Sequence, residues 1–132
     1  VLDANERSFE FVRAGHTALI WRKHDGSVAS LAPRGIGLGM SAPRIFRAVS
    51  ETRTIAPSAG DFLLLYSDRV TEAMNERSEE FGDARLLEIA RTQLTPEMSA
   101  DDARDALIGQ VALFCGTAPV HDDMTMVVVK FA

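Results

Sequence analysis

The spacing of apolar positions changes part-way along the chain. Up to about residue 67 they come in short runs bounded by Gly, Pro and Asp, which is the pattern of strands. Residues 9–14 and 17–23 each predict a short strand. Asp25-Gly26 is a favoured hairpin pair, and residues 28–31 return from it. Residues 32–43 are a Gly- and Pro-rich loop, and residues 45–55 read as a longer strand ended before Pro57. Residues 62–67 are apolar up to the final Ser67, as expected of a strand covered on both faces.

Beyond that point the period becomes helical. Residues 83–94 carry Leu86, Leu87, Ala90 and Leu94 on one side, with Pro96 as the stop. Ser99 with Asp102 is an approximate helix-start pairing. The helix that follows sets Ala103, Leu107, Val111 and Phe114 on one stripe and stops at Gly116 and Pro119. Residues 124–131 form a last buried strand. Strands, then helices, then a strand predict an α+β fold with helices packed on a mainly antiparallel sheet.

Composition narrows the class. The chain has 132 residues, 46% apolar and 25% charged, enough for one domain with a sizeable core. A formal charge of -5 argues against a nucleic-acid partner. Cys115 is the single cysteine, which excludes an intramolecular disulfide and suits a reducing, cytoplasmic setting. No run is long enough to span a bilayer, and no signal segment opens the chain. It begins at Val1 rather than Met, which fits a piece of something longer.

Two acidic signatures carry the candidate chemistry. One follows a greasy strand: Tyr66-Ser67-Asp68-Arg69-Val70-Thr71-Glu72-Ala73. The other precedes one: His121-Asp122-Asp123-Met124-Thr125. If those strands are antiparallel neighbours, Asp68 and Asp122 meet at one sheet end. Carboxylates held together raise each other's pKa unless a cation joins them, and Mg2+ or Mn2+ suits oxygen ligands. Glu72 lies one helical turn from Asp68 and can share its direction.

These residues resemble a known family. Ala14-Gly15-His16, Gly60-Asp61 leading to the Asp68 signature, Phe81-Gly82 before a helix, and Asp122-Asp123-Met124-Thr125 occur in order. Together they resemble PPM-type metal-dependent serine/threonine phosphatases of the SpoIIE/RsbU-like bacterial branch, over essentially the whole chain. The resemblance implies an α-β-β-α sandwich. Residues 1–132 would be the C-terminal portion of one such domain, without its N-terminal part.

It also implies a protein phosphatase that uses metal-activated water, with two Mn2+ or Mg2+ per complete site and no protein nucleophile. Asp68 and Asp122 are the implied metal ligands. Glu72 and His16 are placed near an additional ion or the phosphate, and Asp123 is placed to hydrogen-bond a ligand. The implied substrate is a phosphorylated bacterial regulatory protein, such as an anti-sigma factor antagonist. An upstream sensor or receiver domain and a homodimer fit the same picture.

Two departures support an alternative, a non-catalytic phosphatase-like binding module. Arg69 stands where the family has Gly after the metal aspartate, and the family's earlier Asp-x-x-Gly-His-Gly motif is absent. Arg69 brings a cation beside the proposed metal, where it repels the ion, contacts phosphate or pairs with Glu72. Of the other histidines, His24 reads as structural, and His121 as structural or as support for Asp122. Gly35-Ile36-Gly37-Leu38-Gly39 reads as a structural loop rather than a phosphate cradle, because no helix clearly follows it and the spacing is wrong.

Overall fold

The computed structural model describes residues 1–3, 8–118 and 123–132. The elements run β1 (Leu2–Asp3), β2 (Ser8–Val12), β3 (Leu19–Arg22), β4 (Val28–Leu31), α1 (Pro43–Val49), β5 (Thr52–Ile55), β6 (Phe62–Tyr66), α2 (Asp68–Thr71), α3 (Asp83–Gln93), α4 (Ala100–Cys115) and β7 (Met126–Lys130). Two antiparallel sheets form, with strand orders β1-β2-β5 and β4-β3-β6-β7. The expected α+β class, with helices on antiparallel sheets, is the observed one.

Strand β6 organises the larger sheet because its side chains are apolar on both faces. Phe62, Leu64 and Tyr66 point to the helices, joining Leu86, Leu107 and Val111 in the main core. Leu63 points the other way and meets Leu19 and Ile55 below the smaller sheet, with Phe9 and Phe11 at the margin. Each fully buried Leu or Phe contributes about 1.5–3 kcal/mol. Coverage of β6 is incomplete at one position: Leu65 keeps 37% of its surface exposed.

The long helix follows its sequence signals closely. Ser99 Oγ accepts a hydrogen bond from the Asp102 N–H, and the Asp102 carboxylate accepts one from the Ser99 N–H in return. A shorter Asp therefore closes a box usually built with Glu or Gln. Ala103, Leu107, Val111 and Cys115, four residues apart, form the buried stripe. Cys115 is a buried free thiol at the helix end. Among the described residues, no helix is long and apolar enough to cross a membrane.

Residues 45–55 are not one strand. They divide into helix α1 and strand β5, separated at Ser50 and Glu51. Pro43 sits in the first helical turn, where its fixed φ favours the helix and its missing N–H costs nothing. Ile45, Phe46 and Val49 follow helical rather than alternating spacing. A helix therefore does follow the glycine loop, contrary to the sequence expectation. The loop remains structural for a different reason: its glycines permit close packing. A Cβ on Gly35 would lie 1.6 Å from the Arg13 carbonyl oxygen, and one on Gly15 would lie 3.0 Å from Gly37 Cα.

Candidate metal centre

The ends of three strands define the site. In the β6–β7 ladder Tyr66 pairs with Met126, and the pairing continues one step further. There the Ser67 N–H donates to the Thr125 carbonyl at 2.9 Å, and the Thr125 N–H donates to Ser67 Oγ at 3.1 Å. Asp68 thus begins its turn beside the segment that carries Asp123. On the other flank of β6, Thr17 Oγ1 donates to the Tyr66 carbonyl at 2.5 Å. His16, Asp68 and Asp123 therefore emerge at one end of the larger sheet. Asp122 and His121 lie outside the described residues.

Asp68 is the first residue of α2. A carboxylate there faces unpaired backbone N–H groups, which favour negative charge. Its Oδ1 accepts from the Arg69 N–H at 2.9 Å. The side chain is exposed, and among the described residues Oδ2 has no protein donor. Behind it, Val70 is fully buried and anchors the turn in the main core. A fixed backbone with a solvent-facing carboxylate suits a hard cation, and the exposed Asp123 adds oxygen donors of the same kind. Among the described residues, no group of three or more His, Cys, Asp or Glu is placed to hold a metal ion.

Arg69 takes an ordinary helical conformation, so replacing Gly there costs no left-handed strain. Its guanidinium donates to Glu72 Oε2 at 3.1 Å. The pair with Glu72, one of the contacts envisaged from sequence, is present, and it draws the Glu72 carboxylate to Arg69. His16 is exposed, and its Nδ1 lies 3.0 Å from Thr17 Oγ1. The Thr17 hydroxyl proton is committed to the Tyr66 carbonyl, so His16 Nδ1 carries the proton of that contact. Nε2 is then the acceptor nitrogen of the neutral ring, the form that can ligate a metal.

The sequence reading passed over two supports of this end of the sheet. Tyr66 Oη donates to Asp83 Oδ1 at 2.9 Å, tying β6 to the first turn of α3. Burial, together with the Asp83 carboxylate, raises the Tyr66 pKa far above the ordinary phenol value. Thr17 links His16 to β6. Tyr66 opens the Asp68 signature, but its link to Asp83 and that of Thr17 to β6 come only from the folded register.

At the opposite end of β6, Asp61 is buried. Burial alone would raise its pKa. Donors from Ser58 N–H, His24 N–H, the His24 ring and the Trp21 indole overcome that cost and hold it below the ordinary carboxylate value. His24 is thus structural, as expected, through this contact. Gly60-Asp61 is legible in the sequence as the opening of this strand, but the role of Asp61 as a carboxylate anchor is not.

The antiparallel two-sheet α+β fold is shared with solved PP2C phosphatase domains. The chain matches the family Stage II sporulation protein E (SpoIIE) over residues 1–132 and belongs to it. Protein IcfG of Synechocystis sp. is 27% identical over 130 residues, 98% of this chain and 19% of IcfG. The structure of the PP2C phosphatase domain of SpoIIE from Bacillus subtilis, with a fragment of its regulatory domain, superposes with a TM-score of 0.77. The two are 22% identical, and the match covers 98% of this chain and 36% of that one. A manganese-soaked crystal of the same phosphatase domain gives 0.70 at 22% identity, covering 98% of this chain and 53% of that one. The SiaA PP2C domain of Pseudomonas aeruginosa gives 0.74 at 20% identity, covering 99% and 49%. The chain therefore spans well under two thirds of each relative.

Proposed function

We propose that this chain is the C-terminal portion of a phosphatase domain that hydrolyses phosphoserine or phosphothreonine on a bacterial regulatory protein, such as an anti-sigma factor antagonist. One observation carries the reading. The antiparallel β6–β7 pair delivers the Asp68 turn and the Asp123 segment to the same sheet end, with His16 on the other flank. Asp68, with Asp122 from the adjoining segment, would hold Mn2+ or Mg2+, and Asp123 would steady that arrangement. Such an ion, when bound, supplies Lewis-acid activation of water near neutral pH. The protein's own part is to fix the carboxylates, through the buried Val70 and the Ser67–Thr125 pair, and to present an anionic site to the cation. Remaining ligands would come from polypeptide beyond these residues, and a regulatory domain like that of the Bacillus subtilis relative fits the same arrangement.

A second reading, a non-catalytic binding module, draws support from the Arg69–Glu72 ion pair, which places a cation next to Asp68. Manganese-dependent hydrolysis of p-nitrophenyl phosphate by the full-length protein separates the two. The phosphatase reading expects activity that Asp68→Asn reduces at least about a hundredfold (~2.7 kcal/mol in transition-state stabilisation). Unchanged activity in that variant ends Asp68's role as a ligand. No activity in either protein favours the binding module.

A further inference from the structure

Residues 32–56 depart from the rest of the molecule in charge and in packing. They hold Arg34, Arg44, Arg47 and Arg53 against the single acid Glu51, in a chain whose formal charge is -5. Helix α1 at their centre buries none of its residues, although Ile45, Phe46 and Val49 form an apolar stripe. Ile45 and Val49 remain 47% and 44% exposed, and Leu38 and Met40 before the helix more than 75%. Arg44 and Arg47 are one helical turn apart and exposed, and among the described residues neither pairs with a carboxylate. A surface with open apolar groups and unpaired cations complements an acidic, partly apolar protein segment.

The position of this surface gives it meaning. The Arg13 guanidinium donates to the Pro33 carbonyl at 3.0 Å and to the His16 carbonyl at 2.9 Å. One side chain therefore fastens the start of the basic segment to the residue flanking the Asp68 turn. Gly35 reinforces the attachment, since its backbone lies against Arg13 with no room for a Cβ.

We propose that residues 34–49 form a docking surface for an acidic segment of a protein partner, with Arg44 and Arg47 reading its carboxylates. Resting on the phosphatase reading, it assigns that site a substrate flanked by acidic residues. An acidic protein fits better than an anionic membrane, because α1 has seven residues and two cations, too few to anchor in lipid headgroups.

The test uses two phosphothreonine peptides of equal length, one flanked by Asp and Glu and one by Lys and Arg. Binding of each fluorescent peptide to the full-length protein is measured by anisotropy, apart from any hydrolysis. The proposal expects the acidic peptide to bind at least tenfold more tightly, a preference that weakens with salt. It expects Arg44→Glu with Arg47→Glu to abolish the preference while p-nitrophenyl phosphate hydrolysis stays unchanged. Equal binding of the two peptides overturns it, as does a preference that survives the double charge reversal. Binding to anionic vesicles with no peptide preference also overturns it, in favour of a membrane surface. Acidic-peptide preference without hydrolysis of any phosphate ester keeps the docking surface and removes the phosphatase reading.

Discussion

Removing the Asp61 carboxylate is expected to destabilise the fold more than any exposed substitution. Asp61 is 1% exposed and accepts four hydrogen bonds. The His24 N–H at 2.7 Å and the His24 ring at 3.0 Å share Oδ1, while the Trp21 indole N–H at 2.9 Å and the Ser58 N–H at 3.0 Å share Oδ2. Asp61→Ala leaves these donors without their shared acceptor. Truncating one partner of a buried charged network costs roughly 3–5 kcal/mol. Asp61→Asn keeps one oxygen and turns an NH2 group towards the donors on the other side, so about 2–3 kcal/mol is expected.

Trp21 is the only tryptophan and donates to this carboxylate, so urea unfolding followed by its fluorescence reports on the site directly. With a urea slope of about 2 kcal/mol per M, the alanine variant should lose about 2 M in midpoint. The pH dependence has a definite sign. The folded pKa of Asp61 lies below its ordinary value. Its contribution is therefore present in full above the unfolded carboxylate pKa of about 4, and it fades as pH falls through the lower folded value. A loss below about 1 kcal/mol for Asp61→Ala, or an acid-unfolding profile the substitution leaves unaltered, would refute the anchoring role.

Other outcomes follow from the same geometry. Gly35→Ala should cost more than about 2 kcal/mol or displace the loop, since the new Cβ would overlap the Arg13 carbonyl; a thermal melt indistinguishable from the parent would contradict the close approach. Arg69→Ala should change stability by less than about 1 kcal/mol, because its pair with Glu72 is about half exposed; a larger loss by urea titration would show a structural role for the bridge. Leu107→Ala, at a fully buried position, should cost about 2–5 kcal/mol in the same titration, and a cost under about 1 would mean that the α4 stripe is not core.

How far the sequence revealed the fold depends on how local the determining physics was. The β6 and β7 strands, the α4 cap and the Phe81-Gly82 entry to α3 were legible because each is written in adjacent residues. Residues 45–55 were misread because Ile45, Phe46, Val49 and Ile55 suit either element, and the helix-starting role of Pro43 decided the outcome. The β6–β7 register could be posed from sequence as a condition, and the ladder supplies it. The Asp61 cradle was illegible: its donors come from positions 21, 24 and 58, which only the folded sheet unites. The Arg13 fastening of the basic loop was hidden for the same reason, since its acceptors are backbone carbonyls and carry no sequence signature.

The central claim is that the Asp68 turn and the acidic segment before β7 grip one cation. Anomalous scattering from a crystal of the full-length protein grown with manganese tests it most directly. The account predicts a manganese peak within about 2.3 Å of an Asp68 carboxylate oxygen, shared with Asp122 and lost in Asp68→Asn. Manganese bound elsewhere, or a peak at this sheet end that persists without the Asp68 carboxylate, would contradict it.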